Sequence, residues 1–444
     1  MLRDEDAVVR VLAPSEQRFV RHGTYTGRSV SVVGAVDSAA VQGAFAALQA
    51  RYPVITCRIG EDEEGTGYLL RPGDSPVGAT VSDGDVETIG LPVTPLDPGT
   101  QLAYLDVVVS GEDRWRLTLF AHHSVADAGH CVELLARFWD HYTGLVEGTP
   151  VAGAPHDYPR PLEWHVAQRG LVAGAVSGFE AVTRPLPLPA PIEAAGPADA
   201  CGAGSVTIRP SGSAGAVPSS LARPLRTRLD AAVTARIVAL GRHRGVSVNG
   251  LVTAALLRAF ASGITDAATG PVPLGCLYPV DMRARLVPKV APGDGTNMAG
   301  LASFAAEIDL SGSVLDLGGR IAQQLRADLA AGIVQQSVLH FPDFFGDKRI
   351  HSLAGHVAVT NTGAVPPFRT PAGLELTDYE IVYLSAHPRP STGASAAVTF
   401  LVYTFHGALT IGLLGGGPEA NRLLDAVLQE LLALSSETIL SEDR

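Results

Sequence analysis

Residues 122–130 read His-His-Ser-Val-Ala-Asp-Ala-Gly-His, three histidines and one carboxylate within nine positions. Imidazole is the side chain best suited to take a proton from a hydroxyl or amine near pH 7, and a positioned base contributes roughly 10²–10⁴-fold in rate. A carboxylate four residues after His123 could orient the ring, or pair with a distant arginine to hold the loop, and spacing alone does not separate the two. Packing at a strand end accounts for such a pair equally well at this level. Zinc is the other chemistry that His122, His123, Asp127 and His130 could support. Neighbours on a strand point to opposite faces, however, so His122 and His123 would not share one ion, and no Cys pair or HExxH completes a ligand set; no metal is expected. The chain also lacks the GxSxG elbow of a serine nucleophile and the glycine-rich motifs of nucleotide sites.

The residues that must position this stretch are legible. Leu102–Val109 and Trp115–His123 flank the polar turn Ser110-Gly111-Glu112-Asp113 and read as a hairpin, so the histidine pair sits where a strand ends. Beyond Gly129, residues Cys131, Leu134, Leu135, Phe138 and Tyr142 recur at helical spacing and form one buried face. The stretch is therefore a strand-loop-helix joint, and a helix start offers free backbone N–H groups to a developing oxyanion. Upstream, residues from Arg28 read as a strand, those from Ala39 as a helix, and Pro53 to Ile59 as a second strand. Downstream, a helix carrying Val233, Ile237 and Leu240 ends at Gly241 or Gly245, and Ser247 caps another carrying Leu251, Val252, Ala255 and Ala259. Strands are expected from Val272, from Gly355, and as a hairpin around His406-Gly407.

At 444 residues the chain is long for one core, and Pro, Ala, Gly and Ser dominate from about Thr183 to Leu221. This predicts a domain over 1–182, a linker over 183–221 and a second domain over 222–444, in an α/β or α+β class. The 33 basic against 45 acidic residues give a formal charge of −12 without a basic cluster, which speaks against nucleic acid and against anionic membranes. Cys57, Cys131, Cys201 and Cys276 lie far apart, and the N-terminus has no apolar leader, so a reduced, cytoplasmic setting is expected. The apolar window from Val398 is broken by Thr399, Thr404, His406, Gly407 and Thr410 and predicts strands, not a membrane span.

The stretch HHSVADAGH resembles the HHxxxDG signature of the condensation-domain and CoA-dependent acyltransferase superfamily. LAPSEQRF at Leu12, RYPVITCRI at Arg51 and YPVDMR at Tyr278 are similar to other segments of it. PLEWHVAQRG from Pro161, YPVDMRARLVPKVAP from Tyr278 and QQLRADLAAGIVQQSVLHF from Gln323 resemble the polyketide-associated acyltransferases, of the phthiocerol/phthiodiolone dimycocerosyl transferase type. The resemblance implies two chloramphenicol-acetyltransferase-like domains with a substrate tunnel between them, and no bound cofactor. It makes His123 the general base, His122 a supporting or packing residue, and Asp127 the structural partner of Arg283. Backbone N–H groups at Ala128 and Gly129 would meet the oxyanion. Ala128 departs from the motif's usual glycine, which matters if the turn requires positive φ.

By the same resemblance, Tyr278, Asn297, Thr360 and Asn361 would line the substrate channel and Arg326 would dock a carrier, although a solvated helix face equally accounts for Arg326. The expected activity is O-acyl transfer from a CoA or acyl-carrier-protein thioester to a hydroxyl of a polyketide or related secondary metabolite, with a carrier protein or polyketide synthase as possible partner. Two other readings remain: a free-standing amide-forming condensation enzyme, and a non-catalytic module that only binds a carrier.

Overall fold

The computed structural model describes residues 7–20, 22–185, 209–210, 220–264, 270–345, 351–352, 356–386 and 398–437. Most of the expected linker 183–221, with Cys201, lies outside them. In chain order, the elements that build the site are helix α1 (Pro14–Val20), strand β1 (Tyr25–Val33), helix α2 (Ser38–Arg51), and strands β2 (Thr80–Asp83), β3 (Ala103–Ser110) and β4 (Arg114–His122). Helix α3 (Ala128–Val146), strands β5 (Ser220–Ala222) and β6 (Leu225–Arg228), and helices α4 (Ala231–Arg244) and α5 (Val248–Ile264) follow. The remainder are strands β7 (Val272–Asp281) and β8 (Ala299–Ile308), helix α6 (Val314–Ala330), strands β9 (His356–Ala364), β10 (Glu375–Ser385), β11 (Val398–Phe405) and β12 (Ala408–Gly415), and helix α7 (Ala420–Ser436).

These strands form two six-stranded mixed sheets, ordered β5-β10-β1-β4-β3-β2 and β6-β12-β11-β9-β7-β8, so the class is the α/β mixture expected. The hairpin β3-β4 pairs antiparallel from Ala103↔Ala121 to Ser110↔Arg114. In the second hairpin, β11-β12, His406 (φ 49°) and Gly407 (φ 76°) are both left-handed, the turn whose twist suits adjacent antiparallel strands. Gly245, at φ 64°, ends α4, and Gly241 stays inside the helix. Ser247 Oγ accepts the Gly250 N–H at 3.1 Å, as an N-cap should. No single helix among the described residues is long and apolar enough to cross a membrane.

Two expectations change. Pro53 does not open a strand: residues Pro53–Thr56 form a 3₁₀ turn, closed by the Thr56 hydroxyl donating to Pro53 O at 2.9 Å, and the strand starts only at Arg58. Proline's fixed φ suits the first position of a helical turn. The boundary at residue 222 also does not separate the sheets. β5 and β10 come from beyond the linker or its end and complete the first sheet, with β10 antiparallel to β1 from Glu375↔Val33 to Leu384↔Tyr25. The exchange is pinned by Glu380, which is fully buried, accepts Arg223 at 2.7 and 3.0 Å and forms an ion pair with Arg226 at 3.2 Å.

Gly27 marks how closely these strands pack. A Cβ there would lie 2.7 Å from Val382 Cγ2 and 2.8 Å from the Phe120 ring, on the two strands that flank it. Gly27→Ala should therefore lower unfolding free energy by about 1–3 kcal/mol through overpacking; a urea midpoint equal to that of the parent would contradict this packing.

Candidate active site

His122 ends β4 opposite Tyr25, and His123 is the first residue beyond the strand. Because successive side chains alternate, the two rings part company at once. His122 turns inward: it is fully buried, packs edge-on against Tyr25 with centroids 5.0 Å apart, and accepts the Ser124 N–H on Nδ1 at 3.4 Å. Burial, with the neighbouring His123 ring acting in the same direction, pushes its pKa down to about 3, so this ring stays neutral. It is a packing residue.

His123 is half-buried and stacks on Phe19 of α1 at 4.1 Å. Its Nδ1 lies 2.9 Å from Ala126 O. A carbonyl only accepts, so Nδ1 carries a proton and, in the neutral ring, Nε2 is the nitrogen with the lone pair, an assignment made from the hydrogen bond. The backbone is held on both sides: the His123 N–H donates to Thr24 O at 2.8 Å, and its carbonyl accepts Asn297 Nδ2 at 3.1 Å.

Asp127 caps α3. Oδ1 accepts the His130 N–H at 2.9 Å, while Oδ2 accepts Arg283 Nη1 at 2.6 Å and the Met298 N–H at 2.8 Å. Burial alone would raise the carboxyl's pKa, but the Arg283 charge and these donors overcome it and hold the group ionised, below the ordinary carboxylate range. Arg283 also reaches Asp281 Oδ1 at 3.2 Å and Thr296 O at 2.9 Å. Asp127 therefore faces an arginine of the second half of the chain, while the proton on His123 Nδ1 is held by a backbone carbonyl.

A second buried carboxylate completes the frame. Glu16 accepts Arg10 in a bidentate pair at 2.6 and 2.7 Å, the Ala13 N–H at 2.9 Å and Thr296 Oγ1 at 2.6 Å, and its own carbonyl accepts Ser124 Oγ at 2.8 Å. Segments 13–19, 122–130 and 281–298 thus meet around His123. Ala128 and Gly129 are the first two residues of α3. Neither has positive φ, and their N–H groups precede the first cap bond, at His130, with no acceptor among the described residues. Alanine is therefore no strain where the motif has glycine. Among the described residues, no three His, Cys, Asp or Glu side chains come together to hold a metal.

Residues 218–414 match the family described as phthiocerol/phthiodiolone dimycocerosyl transferase C-terminus. The phthiocerol/phthiodiolone dimycocerosyl transferase of Mycobacterium tuberculosis (strain H37Rv) is 32% identical over 442 residues, covering 97% of this chain and 98% of that one. This chain belongs to that acyltransferase family.

The solved structure of polyketide synthase associated protein 5 from M. tuberculosis superposes with a TM-score of 0.77 at 28% identity, over 97% of this chain and 98% of that one. The first condensation domain of the calcium-dependent antibiotic synthetase shares the fold, with a TM-score of 0.62 at 16% identity and 97% of each chain covered.

Within this family frame, the remaining expected residues separate. Asn297 is brought to the His123 backbone, and its Oδ1 accepts the Ala299 N–H at 3.2 Å. Tyr278 is not brought there: it is buried in the core of the second sheet, its hydroxyl unpartnered among the described residues. Thr360 and Asn361 lie on β9, where Asn361 Nδ2 donates to Asn249 Oδ1 at 2.9 Å and ties the strand to α5. Arg326 is exposed on α6, with no ion pair among the described residues. Sequence reading missed Glu16 as a site residue. Its signal was a glutamate at the third position of a helix opened by proline, which reaches back to the preceding N–H.

Removing Asp127 strips the cap and leaves Arg283 buried beside only an exposed Asp281, so Asp127→Ala should cost about 3–5 kcal/mol of unfolding free energy. A loss under about 1 kcal/mol would remove the pair from its supporting role. Acid should weaken the fold for a second reason. Burial holds His122 near 3 and His130 near 4, whereas in the unfolded chain both titrate near the ordinary value. As pH falls below about 6.5 the unfolded state alone takes up their protons, and each costs about 1.4 kcal/mol per pH unit down to its folded pKa. The fall in urea stability between pH 6 and pH 4 should be shallower in His122→Asn; an unchanged slope would contradict this.

Proposed function

We propose that the chain catalyses O-acyl transfer from a CoA or acyl-carrier thioester to a hydroxyl of a polyketide or related secondary metabolite, with His123 as general base. The observation that carries this is the Nδ1–Ala126 O bond, which leaves Nε2 as a proton acceptor on a loop held from both sides. The relatives' name, a dimycocerosyl transferase of phthiocerol and phthiodiolone, supports an alcohol acceptor.

In this reading, Nε2 takes the proton as the acceptor oxygen attacks the thioester carbonyl. The oxyanion is met by the N–H groups of Ala128 and Gly129. Collapse expels the thiolate, which takes the proton back from the imidazolium, and the ester leaves with no covalent enzyme intermediate. His122, neutral and sunk beneath the loop, keeps its neighbour's backbone in place, and Asp127 acts through the loop by way of Arg283. Ala128, the feature that would favour a non-catalytic binding module, adopts ordinary helical backbone and lends that reading no support.

Ester formation from a panel of acyl-CoA thioesters with a long-chain alcohol, followed by thiol release and product mass, tests the proposal. His123→Ala should lower turnover by roughly 10²-fold or more while melting with the parent. Equal rates in the two proteins would overturn the base assignment, and amide formation in preference to ester would overturn the acceptor class.

A further inference from the structure

Arg28, in the middle of β1, is only 1% exposed and is among the largest fully buried side chains. Its surroundings differ from those of the other arginines named at the site. Arg283 meets two carboxylates, and Arg10 meets Glu16. Arg28 donates from one nitrogen, Nη1, to Thr26 Oγ1 at 2.7 Å and to Gly27 O at 3.2 Å, while its buried Nε has no partner among the described residues. Among the described residues no carboxylate pairs with it. Burying a cation without a counterion costs several kcal/mol, and a fold that keeps one needs a reason for it.

The neighbourhood supplies a second unmet donor. Arg28 pairs across the sheet with Ile381, Val30 with Tyr379 and Thr26 with Tyr383, so both tyrosines stand on the face that Arg28 occupies, one pair to either side. Tyr379 is 1% exposed and its hydroxyl has no hydrogen-bond partner among the described residues. Tyr383 leads to the active site, its ring 6.2 Å from that of His123. On the other flank Arg28 pairs with Leu119, four residues before His123, which puts its backbone roughly 13 Å along the chain from the reacting end. Its bond to Thr26 turns the guanidinium back towards that end. The remaining groups that act on its charge, Cys131 and Asp127, belong to α3 and its cap.

We propose that Arg28 and Tyr379 form a subsite for a carboxylate, or a similarly flat oxyanion, carried by one of the substrates about 10 Å from the reacting carbonyl. The inference rests on acyl transfer at His123. It makes Arg28 a specificity residue: the buried charge is tolerated in the empty protein and is compensated when the acidic end of the acyl chain, or of the acceptor, is seated. A guanidinium favours this class because its planar fork matches a carboxylate, and because a neutral chain would leave the charge stranded.

Binding without turnover tests it, with calorimetry on the His123→Ala protein. In the donor arm, pantetheine thioesters of suberate, azelate and sebacate, whose extended chains span the distance to Arg28, are compared with those of octanoate, nonanoate and decanoate. In the acceptor arm, ω-hydroxy acids are compared with their methyl esters. One arm should show at least about tenfold tighter binding of the acid, identifying the substrate that carries it, and Arg28→Met should bring that ratio close to one. Should Arg28→Met fail to fold, Tyr379→Phe, which removes the second donor alone, should still lower the ratio by about threefold. A ratio below about twofold in both arms overturns the subsite, since a water molecule or nothing then occupies it; a preference that survives both substitutions does the same. Failure of the acyl-transfer reading would appear elsewhere, as ester formation that His123→Ala does not change.

Discussion

The buried ion pair between Asp127 and Arg283 is the constraint on which the site depends. Its two charges come from opposite halves of the chain, 156 residues apart, and meet at 2.6 Å with little solvent. Taking both out of water is expensive, and the cost is offset only because nearly every remaining valence is filled. The carboxylate also accepts two backbone N–H groups, and the guanidinium also donates to Asp281 and to Thr296 O. A pair of this kind contributes little net stability compared with an apolar substitute, but it tolerates one arrangement only. Here that arrangement fixes where α3 begins, and so where the loop ahead of it must run.

The loop then needs few further restraints to present an imidazole. Thr24 and Asn297 hold the His123 backbone from the two sides, Ala126 O holds Nδ1, and Phe19 lies against the ring face. Every one of these partners is positioned by something else: Phe19 by the helix that Glu16 caps, Asn297 by its own turn to Ala299. Such layered support is what holds a reacting group within a fraction of an ångström of its working geometry. It also explains why the motif aspartate need not touch the base.

Legibility in the sequence followed how local the determining interaction is. The stripe of α3, the hairpin β3-β4 and the Ser247 cap are set by neighbours within a few positions, and periodicity and cap chemistry were enough to find them. The strand β10 was not found, because what makes Glu375–Ser385 a strand is the open edge of β1, more than 300 residues earlier. Pro53 misled for a related reason: an apolar run after a proline suits a strand or a helical turn, and tertiary packing chose the turn. At the site, the His123, Asp127 and Arg283 assignments came from a family resemblance, and the structure brings the last two into contact. Tyr278 was placed in the channel by the same resemblance, yet strand alternation sends its ring into the second core. Arg28 stood in plain view in a strand, and only the three-dimensional structure reveals that no carboxylate among the described residues pairs with it.

The most direct measurement of the account is the tautomer of the His123 ring, read from ¹⁵N–¹H long-range correlations of labelled protein at neutral pH. The account predicts a protonated Nδ1 and a bare Nε2, the state that the Ala126 carbonyl imposes and that proton abstraction requires. A ring protonated on Nε2 and bare on Nδ1 would contradict it, because the loop would then hold a side chain with no lone pair to offer the acceptor.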